Sequence, residues 1–410
     1  MGLFEIGLLL FGLMLGPFIN FAIYSFAYFS RVISPWQSQP AEIYKRKWSA
    51  KLPIVGWLFR REESVHLGRL FWLRPFLIEL ATPMAIVFLY RNCMAGAFTP
   101  GGSVVGVGTL GQQFVAFTLL ITLMTVASFI DFDERTIPDL ITIPGTILGL
   151  LGAVFLPDWR MQELAFPAFP VLVGDPVPLQ ANSPDRWSAI WNGSSGLFLG
   201  LLFWSLWCFG MADRRWINRR GLKKAVDYFF EGLRRSPSTR MLFGLWLVGV
   251  VCLIVAYMAV APMRWEALLS SLFGIGLGGM LVWGFRIVAH WAMGQEALGF
   301  GDVTLMAMIG SFFGWQIVWI AFFLAPFFGL VFVVMVWVIT RDNATPFGPY
   351  LCAATLYCML DWVNLWGTCS VWFLPPHLLF PIFLGLLIAL GVMLWLIQTI
   401  KFLLLGPRRH

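Results

Sequence analysis

Val303 to Thr340 reads VTLMAMIGSFFGWQIVWIAFFLAPFFGLVFVVMVWVIT, a run without a single Asp, Glu, Lys or Arg. A helix needs about 20 apolar residues to cross the hydrocarbon of a bilayer. The run therefore holds two crossings, and Phe313-Gly314-Trp315 is where a glycine permits the tight turn between them. Applied outward, the same rule predicts about eleven spans, near 3–29, 76–90, 111–130, 139–156, 196–212, 241–261, 268–293, 303–314, 316–340, 346–361 and 374–402. Composition agrees. A chain of 410 residues that is 59% hydrophobic and 12% charged has too little polar surface to coat a water-soluble globule of that size. The expected fold is all-α, a polytopic helical membrane protein.

Charge sets the orientation. The 28 Lys and Arg outnumber the 21 Asp and Glu, for a net charge of +7. The excess is parcelled between apolar runs rather than gathered on a soluble face, so no nucleic-acid partner is expected. Residues 31–75 and 213–240 hold most of the basic residues, and Arg135, Arg341, Lys401, Arg408 and Arg409 fall on the same side if all the spans are real. Arg91, Arg160, Arg186 and Arg264 fall opposite, which places the N-terminus outside and the C-terminus in the cytoplasm. No positive charge precedes the first apolar run, so that run is read as a span and not as a cleavable signal. The basic loops are read as orientation signals, with the alternative that they lie on the membrane as amphipathic segments. The segment from Pro157 to Ser195 is expected to be an ordered loop on the outer face. The six cysteines include no CxxC pair and mostly lie inside apolar segments, which points away from a disulfide framework or a thiolate metal site.

In so apolar a chain the informative residues are acids at the edge of a span, because a charge at mid-bilayer costs about 2.5 to 3.5 kcal/mol. One such place is Ile130-Asp131-Phe132-Asp133-Glu134-Arg135-Thr136-Ile137-Pro138-Asp139; the other is Gly299-Phe300-Gly301-Asp302. The charge count puts both on the cytoplasmic side, where Asp131 and Asp302 can meet. Two carboxyl groups sharing a partly dry cleft hold one proton between them, the arrangement an aspartic protease needs. Gly299 and Gly301 would let a peptide backbone approach Asp302 closely. Asp133 and Glu134 also read as solvated loop charges, and Asp139 as the N-cap of the fourth span. Glu134, Asp139 and Glu296 are the acids placed to receive a basic peptide on an otherwise basic face.

These residues resemble the type IV prepilin leader peptidases, membrane aspartic proteases with a GxGD motif. Ala297 to Leu305 with Phe313-Gly314-Trp315 is similar to the family's second catalytic segment, and DFDERTIPDLIT (Asp131 to Thr142) to its first. Pro346-Phe347-Gly348-Pro349-Tyr350-Leu351 resembles a third motif, Gly16-Pro17-Phe18-Ile19-Asn20 the opening span, and Leu52 to Leu58 with Arg74-Pro75 and Glu79 the cytoplasmic loop. The resemblance implies Asp131 and Asp302 as the catalytic pair and Pro346, Phe347, Gly348, Pro349 and Tyr350 as active-site lining. It implies a bacterial inner-membrane enzyme that cuts basic leaders from prepilins or pseudopilins at the cytoplasmic face. Many relatives then N-methylate the new N-terminus with S-adenosylmethionine. The family's loop usually carries two zinc-binding CxxC pairs, whereas residues 31–75 contain no cysteine, so no zinc is expected.

The chain divides into a first span (1–30), a basic loop (31–75), a membrane core with the first aspartate (76–156), an insertion with an outer loop, two spans and a second basic loop (157–266), a core segment with the GxGD and PFGPYL motifs (267–361), and an extra span with a basic tail (362–410). The insertion adds an even number of spans and so leaves Asp302 on the side of Asp131. The competing readings are a presenilin-type GxGD protease, a proton- or cation-coupled transporter using intramembrane acids, and a catalytically inactive relative.

Overall fold

The computed structural model describes residues 2–37, 48–100, 105–165, 175–212, 231, 236–293, 298–340, 346–373 and 376–405. Among them, six helices are long and apolar enough to cross a membrane: Leu3–Phe26 (α1), Leu73–Met94 (α3), Val107–Glu134 (α4), Pro237–Ala259 (α7), Pro262–Met293 (α8), and the first part of Trp315–Thr340 (α10). Shorter apolar helices are Asp139–Phe155 (α5), Ser194–Gly210 (α6), Phe300–Phe313 (α9), Gly348–Leu360 (α11) and a stretch of Pro376–Leu405 (α13). Each lies where a span was expected, so the chain is an all-α, multi-pass membrane protein. The described residues also include two short helices, Ser64–Leu67 (α2) in the first basic loop and Trp362–Cys369 (α12), which the sequence did not single out.

At the centre stands α9, buried at every residue from Asp302 to Phe313. Lipid tails are as apolar as leucine, so such a helix is held by close packing rather than by escape from water. Its flanks are accordingly small. Gly310 of α9 and Gly274 of α8 touch backbone to backbone, and a Cβ on either would collide with the other chain segment. On the other side, Gly145 and Gly149 of α5 receive Met308 and Ser311 of α9. Helices α5 and α8 thus clamp α9 directly. The inserted α6 and α7 lie outside that clamp, α6 against α8 and α7 against α6. Their joint is fixed by Trp204 Nε1 donating to the Trp246 carbonyl and Trp246 Nε1 to Ser205 Oγ, each across 3.0 Å.

The break between α9 and α10 falls at Gly314, whose φ of 91° is open to glycine and costly for most other residues. Around this turn the segment after α5 forms a cap. Trp315 Nε1 donates to the Ala181 carbonyl (2.8 Å), Gln316 Nε2 to that of Gln180 (2.6 Å), and Trp362 Nε1 to that of Gln162 (2.7 Å). The cap contains a small antiparallel pair, Gln162–Ala165 (β1) with Asp175–Pro178 (β2), the only strands among the described residues. The expected ordered loop is therefore a packed lid on the face opposite the aspartates. Two expectations change in detail. The third span was to end at Ile130, but α4 continues to Glu134, so Asp131 lies inside its last turns. Asp139 was read as an N-cap, but Pro138 holds that position and Asp139 is the first residue of α5.

Candidate active site

Helix α4 stops abruptly after the acids. Arg135 adopts a left-handed conformation (φ 56°), uncommon for a residue other than glycine, and its N–H closes onto the Asp131 carbonyl at 2.8 Å. Beyond it the chain leads through Thr136 and Ile137 to Pro138, where the fixed proline φ starts α5. Ile137 is the spacer of the site. A Cβ on Gly301 would come 2.9 Å from Ile137 Cβ, and one on Gly348 would come 2.9 Å from Ile137 Cδ1. The glycines beside Asp302 and Asp131 therefore both close on one isoleucine, which brings α9 and α11 against the α4–α5 turn. Gly301 spends its missing side chain on this contact within the chain. Gly299, exposed at the start of α9, meets nothing nearer than its own helix's Asp302 carboxylate.

Each aspartate is held at the N-terminus of a helix, where unpaired N–H groups and the helix dipole favour negative charge. Asp302 occupies the first turn of α9, and its Oδ2 accepts from the Gly299 N–H at 3.0 Å. Asp131 lies at the carbonyl end of its own helix, an unfavourable place, but its Oδ2 accepts from the Gly348 N–H at 3.1 Å, at the start of α11. Both are buried, at 4% and 6% exposure for Asp131 and Asp302. They lie within electrostatic range of each other, and Cys352 of α11 within range of both. Both carboxyl groups thus lie at one end of the bundle, the end from which the first basic loop emerges.

The PFGPYL segment builds the wall beside them. Pro349 sits in the first turn of α11, where a missing N–H costs nothing. Pro346 and Phe347 are half-buried, and Tyr350 is buried with its ring 5.7 Å from that of Phe332 and 6.4 Å from that of Phe347. Of the acids expected to receive a peptide, Glu134 is employed within the chain. Both Glu134 oxygens accept backbone N–H groups just beyond α1, from Tyr28 (2.9 Å) and Phe29 (2.8 Å). Asp139 opens α5 within electrostatic range of Tyr28, while Glu296 lies outside the described residues.

Sequence reasoning named Arg74 and Glu79 only through the resemblance, and assigned no supporting role to them or to Arg60. Arg74, at the start of α3, donates to both Asp133 oxygens (2.8 and 3.0 Å) and to the Phe129 carbonyl (3.2 Å), so a cation finishes the carbonyl end of α4 next to Asp131. Glu79 of α3, 2% exposed, accepts from Asn20 of α1 (3.0 Å) and from the Ile54 N–H of the basic loop (2.7 Å). Within that loop Arg60 is 2% exposed, lies 4.5 Å from the Trp57 ring and 5.4 Å from that of Phe71, and binds Glu63 through Nε (2.8 Å) and Nη2 (2.6 Å). The loop has no cysteine to supply thiolates, and its described part is organised around a guanidinium between two aromatic rings.

Residues 238–334, which include Asp302 and its GxGD motif, match the model of the type IV leader peptidase family. The chain is 32% identical over 135 residues to a prepilin leader peptidase/N-methyltransferase of Pseudomonas putida, a match covering 32% of this chain and 42% of that protein. It is 31% identical over 123 residues to one of Pseudomonas aeruginosa, covering 26% and 40%. It is also 34% identical over 93 residues to the leader peptidase HopD of Escherichia coli, covering 22% and 57%. The chain thus spans less than two thirds of the length of these relatives. No solved structure matches.

Proposed function

We propose that the chain is an aspartic endopeptidase cleaving leader peptides from type IV prepilins or pseudopilins, a reading supported by the match of residues 238–334 to the type IV leader peptidase family. The observation that supports this reading is that Asp131 and Asp302 lie at one end of the bundle, on segments that both close on Ile137, each buried and each held by one backbone N–H. Two such groups share a proton. The ionised one takes a proton from a water as it attacks the scissile carbonyl. The protonated one polarises that carbonyl and then protonates the departing amine. The backbone N–H groups of Gly348 and Gly299 hold the carboxyl groups in place while the proton moves between them. Pro346 to Tyr350 form the wall against which the peptide lies, and the first-turn Asp139 attracts the basic leader.

The surplus of basic residues on the aspartate face supports cleavage at the cytoplasmic side of a bacterial inner membrane. A pair of aspartates near that one end suits hydrolysis at a membrane surface better than a proton relay across the bilayer. N-methylation of the new N-terminus with S-adenosylmethionine is a second proposed activity, and the loop is proposed to fold without zinc. Co-expression with a prepilin-like precursor tests the reading. Wild type converts the precursor to a faster-migrating product, and Asp131→Asn and Asp302→Asn do not. Conversion that persists in either variant removes the assignment, and mass spectrometry of the mature N-terminus reads methylation in the same samples.

A further inference from the structure

A cavity of about 600 Å³ opens on the flank of the bundle between α4, α10 and α11. Its lining includes Ser128, Phe132, Phe332, Tyr350, Cys352 and Ala353, and it is overwhelmingly apolar. Three features set it apart from an ordinary furrow between membrane helices. It reaches the aspartates, because Cys352 lies within electrostatic range of both Asp131 and Asp302, and Tyr350 sits two residues beyond the Gly348 that binds Asp131. It extends from them in one direction. On α4 it runs from Phe132 back to Ile121 and on α11 from Pro349 forward to Leu356, in both cases away from the basic face and toward the middle of the bundle. Its extent along α4 is about 16 Å, three turns of a helix at 1.5 Å per residue.

We propose that this groove holds the apolar helix of the precursor that directly follows the scissile bond. The inference rests on the peptidase reading and deepens it by naming what positions the substrate. A precursor whose leader stays at the basic face while its helix enters the bilayer presents its scissile peptide at the boundary between the two. An occupant of this groove meets the aspartates at that same boundary. The aromatic rings of Phe132, Phe332 and Tyr350 supply broad, sequence-tolerant contact area near the mouth. Ala353 leaves room for the helix deeper in. Selection then rests on an apolar helix of the right placement rather than on particular side chains.

The test uses the full-length protein in proteoliposomes with a prepilin-like precursor. Ala353→Trp fills the open groove without displacing a packed neighbour, and is expected to raise KM for the precursor about tenfold or more while changing kcat little. Leu247→Trp, on the exposed side of α7, is the control and leaves both unchanged. In the Asp302→Asn background, where the precursor stays intact, p-benzoylphenylalanine at position 353 is expected to cross-link to the first turns of the precursor's apolar helix. The same probe at position 247 should not. Cross-linking at position 353 to lipid alone, or an Ala353→Trp enzyme with wild-type KM, overturns the inference. Failure of the peptidase reading has a separate signature, since the wild-type protein would then leave the precursor uncut.

Discussion

The N–H of Gly348 lies 3.1 Å from Asp131 Oδ2, so the first turn of α11 receives a carboxylate from the last turns of α4, 217 residues earlier in the chain. Only a residue without a side chain allows this approach, because a Cβ on Gly348 would sit 2.5 Å from that oxygen. Gly348→Ala is therefore expected to push Asp131 off its donor while leaving the bundle folded. A displacement of about 1 Å at a reacting group costs about 100-fold in rate. Cleavage of a prepilin-like precursor should fall by about that factor, with thermal unfolding of the detergent-solubilised protein little changed.

Arg74 is the other hold on Asp131, acting through the end of its helix. It grips Asp133 with one guanidinium nitrogen and the Phe129 carbonyl with another. Lysine offers a point charge without the planar fork. Arg74→Lys should thus behave almost as poorly as Arg74→Ala, each lowering kcat about tenfold with KM less affected. Steady-state kinetics of both variants check this, and full activity in Arg74→Lys would reduce the contact to simple charge pairing.

The spans and the aspartates were legible for one reason: charge is expensive in hydrocarbon, so apolar runs and the acids at their edges both stand out. The supports were not legible. Arg60 reads in sequence as one more orientation charge, since nothing local distinguishes a guanidinium between Trp57 and Phe71 from a solvated one. Ile137 looks like any apolar residue before a proline, and its task depends on two glycines far along the chain. Glu134 has the composition of a peptide-binding acid, yet its oxygens meet the N–H groups of Tyr28 and Phe29, a partnership set by where α1 ends. The outer loop was expected to be ordered, but its docking over Gly314 was not legible, because most of its bonds run to backbone carbonyls, which carry no sequence signature.

The organisation of the basic loop around Arg60 predicts indifference to chelators. Treatment with EDTA should leave both the loop's protease resistance and the cleavage of precursor unchanged. Arg60→Met keeps the bulk between the rings but strands Glu63, whose side chain is only 14% exposed. Losing one partner of a largely buried pair costs about 3 kcal/mol. Limited proteolysis should then open residues 48–72 first, with the membrane helices still protected. Restored protection in Arg60→Met combined with Glu63→Leu would confirm that the stranded charge is the cause.

The lid carries its own response to pH. Glu163 on β1 is 6% exposed, and burial pushes its carboxyl up to about 7. Hydrogen bonds from Ser183 Oγ and Trp366 Nε1 and the nearby charge of Arg160 act in the opposite direction without cancelling it. A carboxyl whose value in the docked lid lies above its ordinary 4.5 contributes stability that is complete below that value. That contribution is lost as pH rises through about 7, when the buried group must ionise. Protection of the amides of residues 157–165 and 179–192, taken relative to their intrinsic exchange rate at each pH, should accordingly be higher at a pH of about 5 than at about 8. Glu163→Gln keeps the shape without the charge, so it should flatten the dependence and slow exchange on the alkaline side. An unchanged pH dependence in that variant would assign the effect to another group.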